Sequence, residues 1–333
     1  MNSYKPIVTV VTATYNKFGH LFQTMLSVLE QSYPKIQYII SDDGSECFPQ
    51  YEIEDFIRKN NKKEYDIRVM HHEKNNGTVK NLNLAYKQGC GEYYINLSCG
   101  DVFFDDKVVE RIVNEFINRG SNVLVTSRIL YKGDFEPICY LPHYDERKII
   151  SGWSTGLEQY KAFITGMSYD MASGSAMHFS KEILERIGYF DEKYVLWEDG
   201  PFIAKYLQIG RIDCAYDIIS IWYESGGGSD NRKKAKSSNS PAKLKLLQDT
   251  MLFDSYERLL HLDQLNNKEK RIINLKKKRI EYRDSWKRYF LYVMYLPEYI
   301  LCKKYSRDRK YRYEKDMVEL EKVLVNNPRR KGT

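Results

Sequence analysis

The sequence predicts an α/β fold: a mostly parallel sheet with helices on both faces, followed by a C-terminal helical extension. Three observations predict it. Apolar, β-branched runs alternate with segments of helical period through the first 126 residues, and repeated strand–helix–strand units imply a parallel sheet covered on both faces. The residues with chemical potential directly follow the strands, where such sheets bind ligands. Charge then changes sign: residues 231–333 hold 28 Lys/Arg against 13 Asp/Glu, a balance of +15 that leaves −8 on the first 230. That asymmetry suggests two parts with different tasks.

Taken in order, Ile7–Val11 is a strand of the buried type, and Leu21, Met25, Val28 and Leu29 recur at helical spacing. Ile36–Ile40 and Ile67–Met70 are the next strands. Thr78–Gln88 reads as a helix, with Thr78 as its cap, Gly89 as its stop and Asn76-Gly77 shaping the turn before it. Tyr93–Leu97 is a fourth strand. Asp105 can cap the helix whose face is Val109, Ile112, Val113 and Phe116, and Gly120 ends that helix. Val123–Thr126 is strand-like again. Ser225–Pro241 is Gly/Ser-rich and then basic, which reads as a linker or a hinged loop. Beyond it, Lys243–Arg288 and Asp308–Leu324 look helical. The expected units are therefore residues 1–225, a linker at 226–241 and a basic, tyrosine-rich extension at 242–333.

Composition excludes several classes. Six cysteines without a CxxC pair predict neither a zinc site nor a disulfide framework, and free thiols suit a reducing cytosol. No apolar run approaches the ~20 residues of a spanning helix, so a cytoplasmic protein is expected. The basic tail carries no nucleic-acid-binding motif, so no nucleic-acid partner is expected.

Four segments carry the chemistry: VVTATYN at Val10–Asn16, IISDDGS at Ile39–Ser45, Asn75–Asp101 ending in LSCGD, and GYFDEKYVLWED at Gly188–Asp199. Their order and spacing over residues 5–225 resemble family 2 of the glycosyltransferases, whose fold is the Rossmann-like GT-A fold. The resemblance implies inverting transfer of a sugar from a nucleoside diphosphate, UDP for preference, to a saccharide or lipid-linked acceptor in bacterial surface polysaccharide synthesis.

It also implies roles for particular residues. Ala13, Thr14, Tyr15 and Asn16 line the nucleotide pocket, with Tyr15 able to stack on the base. Asp42 accepts a ring N–H, and Asp43 either joins it or caps the following turn. The family's Asp-x-Asp motif reads Ser98-Cys99-Gly100-Asp101 here; both usual Asp positions are lost and the following Asp101 remains. Asp101 is thus the implied ligand for Mn²⁺ or Mg²⁺. Lys80 stands where relatives often have Arg and faces the phosphates, Asp101 or solvent. Asp199 is the implied base; Glu198 orients it or binds acceptor, and Trp197 offers a stacking face. As an alternative, Asp199 is the N-cap of a helix over 201–209. The small-residue run Met171–Phe179 resembles the family's strand before the base, and His178 within it reads as structural.

The run Trp286–Tyr305 mixes aromatic and aliphatic residues with Lys and Arg at both ends. It suits the inner face of the plasma membrane, packing on the catalytic domain, or a homodimer contact. Two competing functions remain open: a sugar nucleotidyltransferase, against which Thr12–Gly19 lacks a Gly-rich basic signature, and a degenerate glycan-binding scaffold.

Overall fold

The computed structural model describes residues 4–165, 171, 174–225, 241–262, 264–298, 300, 309–325 and 327. Nine strands form one sheet in the order β3-β2-β1-β4-β8-β6-β9-β5, with β7 paired to β6. The first half follows the sequence pattern. Strand β1 (Val8–Thr14) leads through α1 (Leu21–Leu29) to β2 (Ile36–Asp42), then α2 (Gln50–Asn60), β3 (Asp66–His71), α3 (Thr78–Lys87) and β4 (Tyr93–Asn96). Strands β1, β2, β3 and β4 pair in parallel.

The second half is mixed rather than parallel. After β5 (Val102–Phe103) and α4 (Val108–Arg119), strand β6 (Val123–Lys132) turns directly into β7 (Glu136–Leu141), so that pair is antiparallel. Helices α5 (Tyr144–Ser151) and α6 (Gly156–Thr165) follow. Strand β8 (Met177–Ser180) inserts antiparallel between β4 and β6, and α7 (Lys181–Ile187) and α8 (Asp199–Tyr206) lead to β9 (Asp213–Glu224), which runs parallel to β6. The expected strand over 171–179 is therefore partly a turn: Gly174–Ala176 is a 3₁₀ segment and the strand begins at Met177.

Two local expectations are corrected. Asp105 does not cap α4, which begins at Val108; its carboxylate instead takes the Lys107 N–H at 2.9 Å and the Arg111 guanidinium at 2.7 and 2.8 Å. Thr78 is the first residue of α3 rather than its cap. Gly120 does end α4, in the left-handed conformation at φ 61°.

Each sheet face has its own core. Leu21, Met25 and Val28 of α1 meet Val109, Ile112 and Phe116 of α4 on one face. Val79, Leu82 and Tyr86 of α3 meet Ile183, Leu184, Phe202 and Ile203 on the other. The chain's 28 tyrosines serve these cores as large apolar bodies with a polar tip. Tyr38, Tyr86, Tyr94 and Tyr131 are fully buried, and the Tyr38 hydroxyl bonds Thr12 at 3.0 Å while Tyr131 donates to the Gly100 carbonyl at 2.7 Å.

The basic C-terminal part divides in two. Helices α9 (Pro241–Leu260) and α10 (Asn267–Glu281) pack against α6 and place Tyr256, Leu259 and Ile273 in the core on that face. The run read as one helical stretch over 243–288 is broken between them, where Asn266 and Glu269 form a capping box that restarts the helix. Helix α11 (Arg288–Met294) follows. Helix α12 (Arg309–Leu324) returns to the far edge of the sheet, where Leu320 and Leu324 join Val102, Ile129, Tyr131 and Trp222. The linker expected at 226–241 lies outside the described residues except at Pro241. No described helix is long and apolar enough to cross a membrane.

Candidate active site

The site forms where β1, β2 and β4 end. Parallel register sets Thr14 against Asp42, and the Thr14 carbonyl accepts the Asp43 N–H at 2.9 Å. Ala13 contributes backbone: its carbonyl accepts the Cys99 N–H at 3.3 Å, which joins the ends of β1 and β4. Tyr15 is 48% exposed, an open ring beside this edge. Asn16 adopts φ 49°, and its N–H donates to the Ser45 hydroxyl at 2.8 Å. Asp42 is fully buried; Ser45 donates to both its oxygens, from the hydroxyl at 2.6 Å and from the N–H at 2.8 Å. His71 Nδ1 lies 2.8 Å from the same carboxylate, and the His71 ring stacks on Phe48 with centroids 4.9 Å apart. Asp42 therefore reaches a ligand only through its remaining lone pair. Asp43 is built into the turn before α3: its oxygens accept the Asn76 and Gly77 N–H groups at 2.8 and 2.9 Å. Burial nonetheless raises its pKa above the ordinary carboxylate value.

Asp101 stands at the end of β4. One oxygen accepts the Glu224 N–H at 3.0 Å, and the other is buried without a partner. Burial pushes its pKa up to about 7. Glu224 pairs with Lys17 and lies 2.8 Å from His20 Nδ1, so a second carboxylate and two basic groups surround the same edge. Gly100 makes this possible. Its φ is +102°, and a Cβ there would meet a Glu224 oxygen at 2.1 Å and Lys17 Nζ at 3.2 Å. Lys80 is exposed on α3, and nothing in the structure ties it to Asp101.

The third part arrives from the loop before α8. Asp199 is the first residue of α8 and is not its cap; the cap position is Glu198, which makes no side-chain cap bond. The Asp199 carboxylate accepts the Gly200 N–H at 2.7 Å and the Gly174 N–H at 3.2 Å. The Gly174 carbonyl in turn accepts Asn96 Nδ2 at 3.2 Å, so the backbone N–H and carbonyl of this one residue link Asp199 to the end of β4. The Glu198 carboxylate lies over Gly174, 2.5 Å from where a Cβ would sit. Trp197, half-buried, meets the edge of Tyr194 at 5.6 Å between centroids.

Helix α3 fastens this loop to the nucleotide side. Val79 N–H donates to the Val195 carbonyl at 3.0 Å, and Gly77, at φ +89°, packs against Val195, where a Cβ would lie 2.5 Å from Cγ1. Buried Asn83 donates to the Phe190 carbonyl at 2.9 Å and to Glu192 at 3.0 Å, and accepts the Phe190 N–H at 3.0 Å.

The sequence model of Glycosyl transferase family 2 matches residues 9–188, more than half of the chain. The chain belongs to this family. TuaG of Bacillus subtilis (strain 168), a glycosyltransferase named for teichuronic acid biosynthesis, is 30% identical over 146 residues, 44% of this chain and 56% of TuaG. The chain thus spans just over half the length of that relative. Among solved structures, S. aureus TarS 1–349 in complex with UDP superposes with a TM-score of 0.57 at 17% identity, covering 83% of this chain and 72% of TarS. The mannosyltransferase PcManGT from Pyrobaculum calidifontis, in complex with GDP-Man and Mn²⁺, gives 0.52 at 13% identity over 99% and 83% of the two chains. These likenesses show the GT-A fold.

In this family-2 chain, the divalent cation implied by the fold has one clear anchor. Among the described residues, no three His, Cys, Asp or Glu side chains converge on a cation position. The orphaned buried oxygen of Asp101 still fits such an ion. Mg²⁺-type sites often use one or two carboxylates, with substrate phosphates and waters completing the shell.

The structure thus brings Ala13, Thr14, Tyr15, Asn16, Asp42, Asp43 and Asp101 to one sheet edge and sets Trp197, Glu198 and Asp199 beside the end of β4. It leaves Lys80 on an exposed helix face. Sequence reading missed Lys17, His20, His71, Asn83, Asn96 and Glu224. Asn83 lay inside a segment already singled out; the place of Glu224 comes from the pairing of β5 with β9, which sets it against Asp101.

Proposed function

We propose that this protein is an inverting glycosyltransferase that moves a sugar from a UDP-linked donor to a hydroxyl of a saccharide or lipid-linked acceptor in surface polysaccharide assembly. One observation carries the reading: Gly174 ties the Asp199 carboxylate, through its N–H, to Asn96 at the end of β4, through its carbonyl, beside the edge that also holds Tyr15, Asp42 and Asp101.

The roles follow from the geometry. Tyr15 stacks on the base, and Asp42, held by Ser45 and His71, offers its remaining lone pair to a ring N–H. Asp101 would hold a Mn²⁺ or Mg²⁺ ion, which would offset the charge of the departing diphosphate. Lys17, already on this edge, adds a cation there. Asp199 takes the acceptor's hydroxyl proton as that oxygen attacks the anomeric carbon, and the bond to the diphosphate breaks with its electron pair leaving on the nucleotide. Attack from the opposite face inverts the anomeric centre. Glu198 and Trp197 flank the acceptor's approach.

The test pairs calorimetric titration of UDP with a transfer assay. Asp199→Asn should bind UDP normally and lose transfer by about 10²–10⁴-fold, the usual contribution of a general base. Transfer at the wild-type rate would refute the assignment. Failure of the wild-type protein to bind UDP would refute the donor class.

A further inference from the structure

We propose that the cleft between α9, α10 and α11, with the outer face of α11, is a docking site for a membrane surface rich in anionic phospholipid headgroups. This goes beyond the transfer reaction and does not depend on it.

The first observation is a run of exposed apolar residues within one short stretch. Between residues 286 and 300, Trp286, Tyr289, Phe290, Val293, Met294 and Leu296 are 51–77% exposed. Helix α11 explains the arrangement. Leu291 and Tyr295 turn inward to Leu275 of α10, while Tyr289 and Val293, and Phe290 and Met294, are spaced i, i+4 on the opposite side. Trp286 extends that strip, meeting Phe290 edge-on at 5.4 Å between centroids. Such a patch on a described surface marks an interaction site rather than ordinary scatter.

The second observation selects the partner. The adjoining cleft has a volume of about 480 Å³ and is lined by Lys245, Lys276, Arg279, Arg283 and Arg288, against Asp249 as its acid. Asp249 pairs with Arg283. Neither Lys245 nor Arg279 has an acidic partner among the described residues. Two other cations of α10 are paired, Arg271 with Glu298 and Lys277 with Glu257. Uncompensated cations with apolar floor residues Leu252 and Ile280 suit phosphate-bearing amphiphiles. Aromatic rings settle at headgroup depth while cations bind the anionic surface. A second copy of this chain would bring like charge to like charge.

The experiment is co-sedimentation of the full chain with phosphatidylcholine vesicles, with and without phosphatidylglycerol, alongside light scattering and UDP titration. Binding should require phosphatidylglycerol and weaken in high salt. The Lys245→Gln/Arg279→Gln and Val293→Asp variants should each lower it by about tenfold or more, with UDP affinity unchanged. These positions are exposed or line the cleft, so the variants should fold, and retained UDP binding verifies it. Four results would overturn the proposal: no vesicle binding, equal binding to phosphatidylcholine alone, binding to free glycerol phosphate without vesicle binding, or a dimer broken by Val293→Asp in a protein that ignores vesicles. Loss of UDP binding with intact vesicle binding would sink only the donor assignment.

Discussion

Replacing Asn83 with alanine tests how the base loop is held. Asn83 is 2% exposed, and its amide closes a reciprocal pair with the Phe190 backbone and reaches Glu192. Truncation leaves the Phe190 N–H and carbonyl unpaired beside a residue that is itself 4% exposed. Each unpaired buried backbone group costs about 1–3 kcal/mol, so the expected loss is about 2–6 kcal/mol, with about 4 kcal/mol as the central figure. The same loop leads to Trp197, Glu198 and Asp199, and its other ties to α3 include the Val79–Val195 bond, the packing of Val195 on Gly77 and the Tyr86–Phe190 ring contact. Loosening it displaces Asp199, the proposed base. Misplacement on the ångström scale costs about 10²-fold in rate, so kcat should fall by about one to two orders of magnitude. UDP affinity should hold, because Tyr15 and Asp42 sit on β1 and β2. Urea unfolding and steady-state transfer kinetics read both effects. A variant within about 1 kcal/mol of wild type with unchanged kcat would refute the view that α3 positions the base.

Two further outcomes follow from buried polar groups elsewhere. His178, fully buried in β8 with Nε2 3.0 Å from the Thr126 hydroxyl, has its pKa pushed down to about 3 by burial. It stays neutral in the folded chain and protonates in the unfolded one below about 6.5, so its contribution is present above that pH and lost as pH falls towards 3. At about pH 5 the loss is about 2 kcal/mol, and His178→Gln should narrow the gap between urea-unfolding free energies at about pH 7 and pH 5 by that amount; an unchanged gap would contradict it. Asp316→Ala removes the buried partner of His143 and the acceptor of the Tyr144 N–H, which together pin α12 to the start of α5. Breaking such a pair from one side costs about 3–5 kcal/mol, and limited proteolysis should then cut within residues 309–324; wild-type resistance would show that the apolar contacts of Leu320 and Leu324 suffice.

The sequence alone determined the first half of the fold. β-branched runs and helical spacing report burial on one face, and that is a local property; β1 to β4 with their helices formed close to the residues read from it. The strand-end motifs also marked Tyr15, Asp42, Asp101 and Asp199, because a parallel sheet delivers its strand ends to one edge. Tertiary structure decided the rest. The antiparallel insertion of β8 and the β6–β7 hairpin depend on pairing partners far apart in sequence, which no local period encodes. Asp42 and Asp43 look alike in the chain. Pairing with Ser45 and His71 leaves the first one lone pair, while the second accepts the Asn76 and Gly77 N–H groups and so also ties the turn before α3 to the end of β2. The basic tail looked like one unit, yet α9 and α10 complete the core against α6, α11 turns an apolar strip outward, and α12 packs on β7 at the far edge of the sheet. Sequence fixes which residues want burial; only packing decides which of them find it.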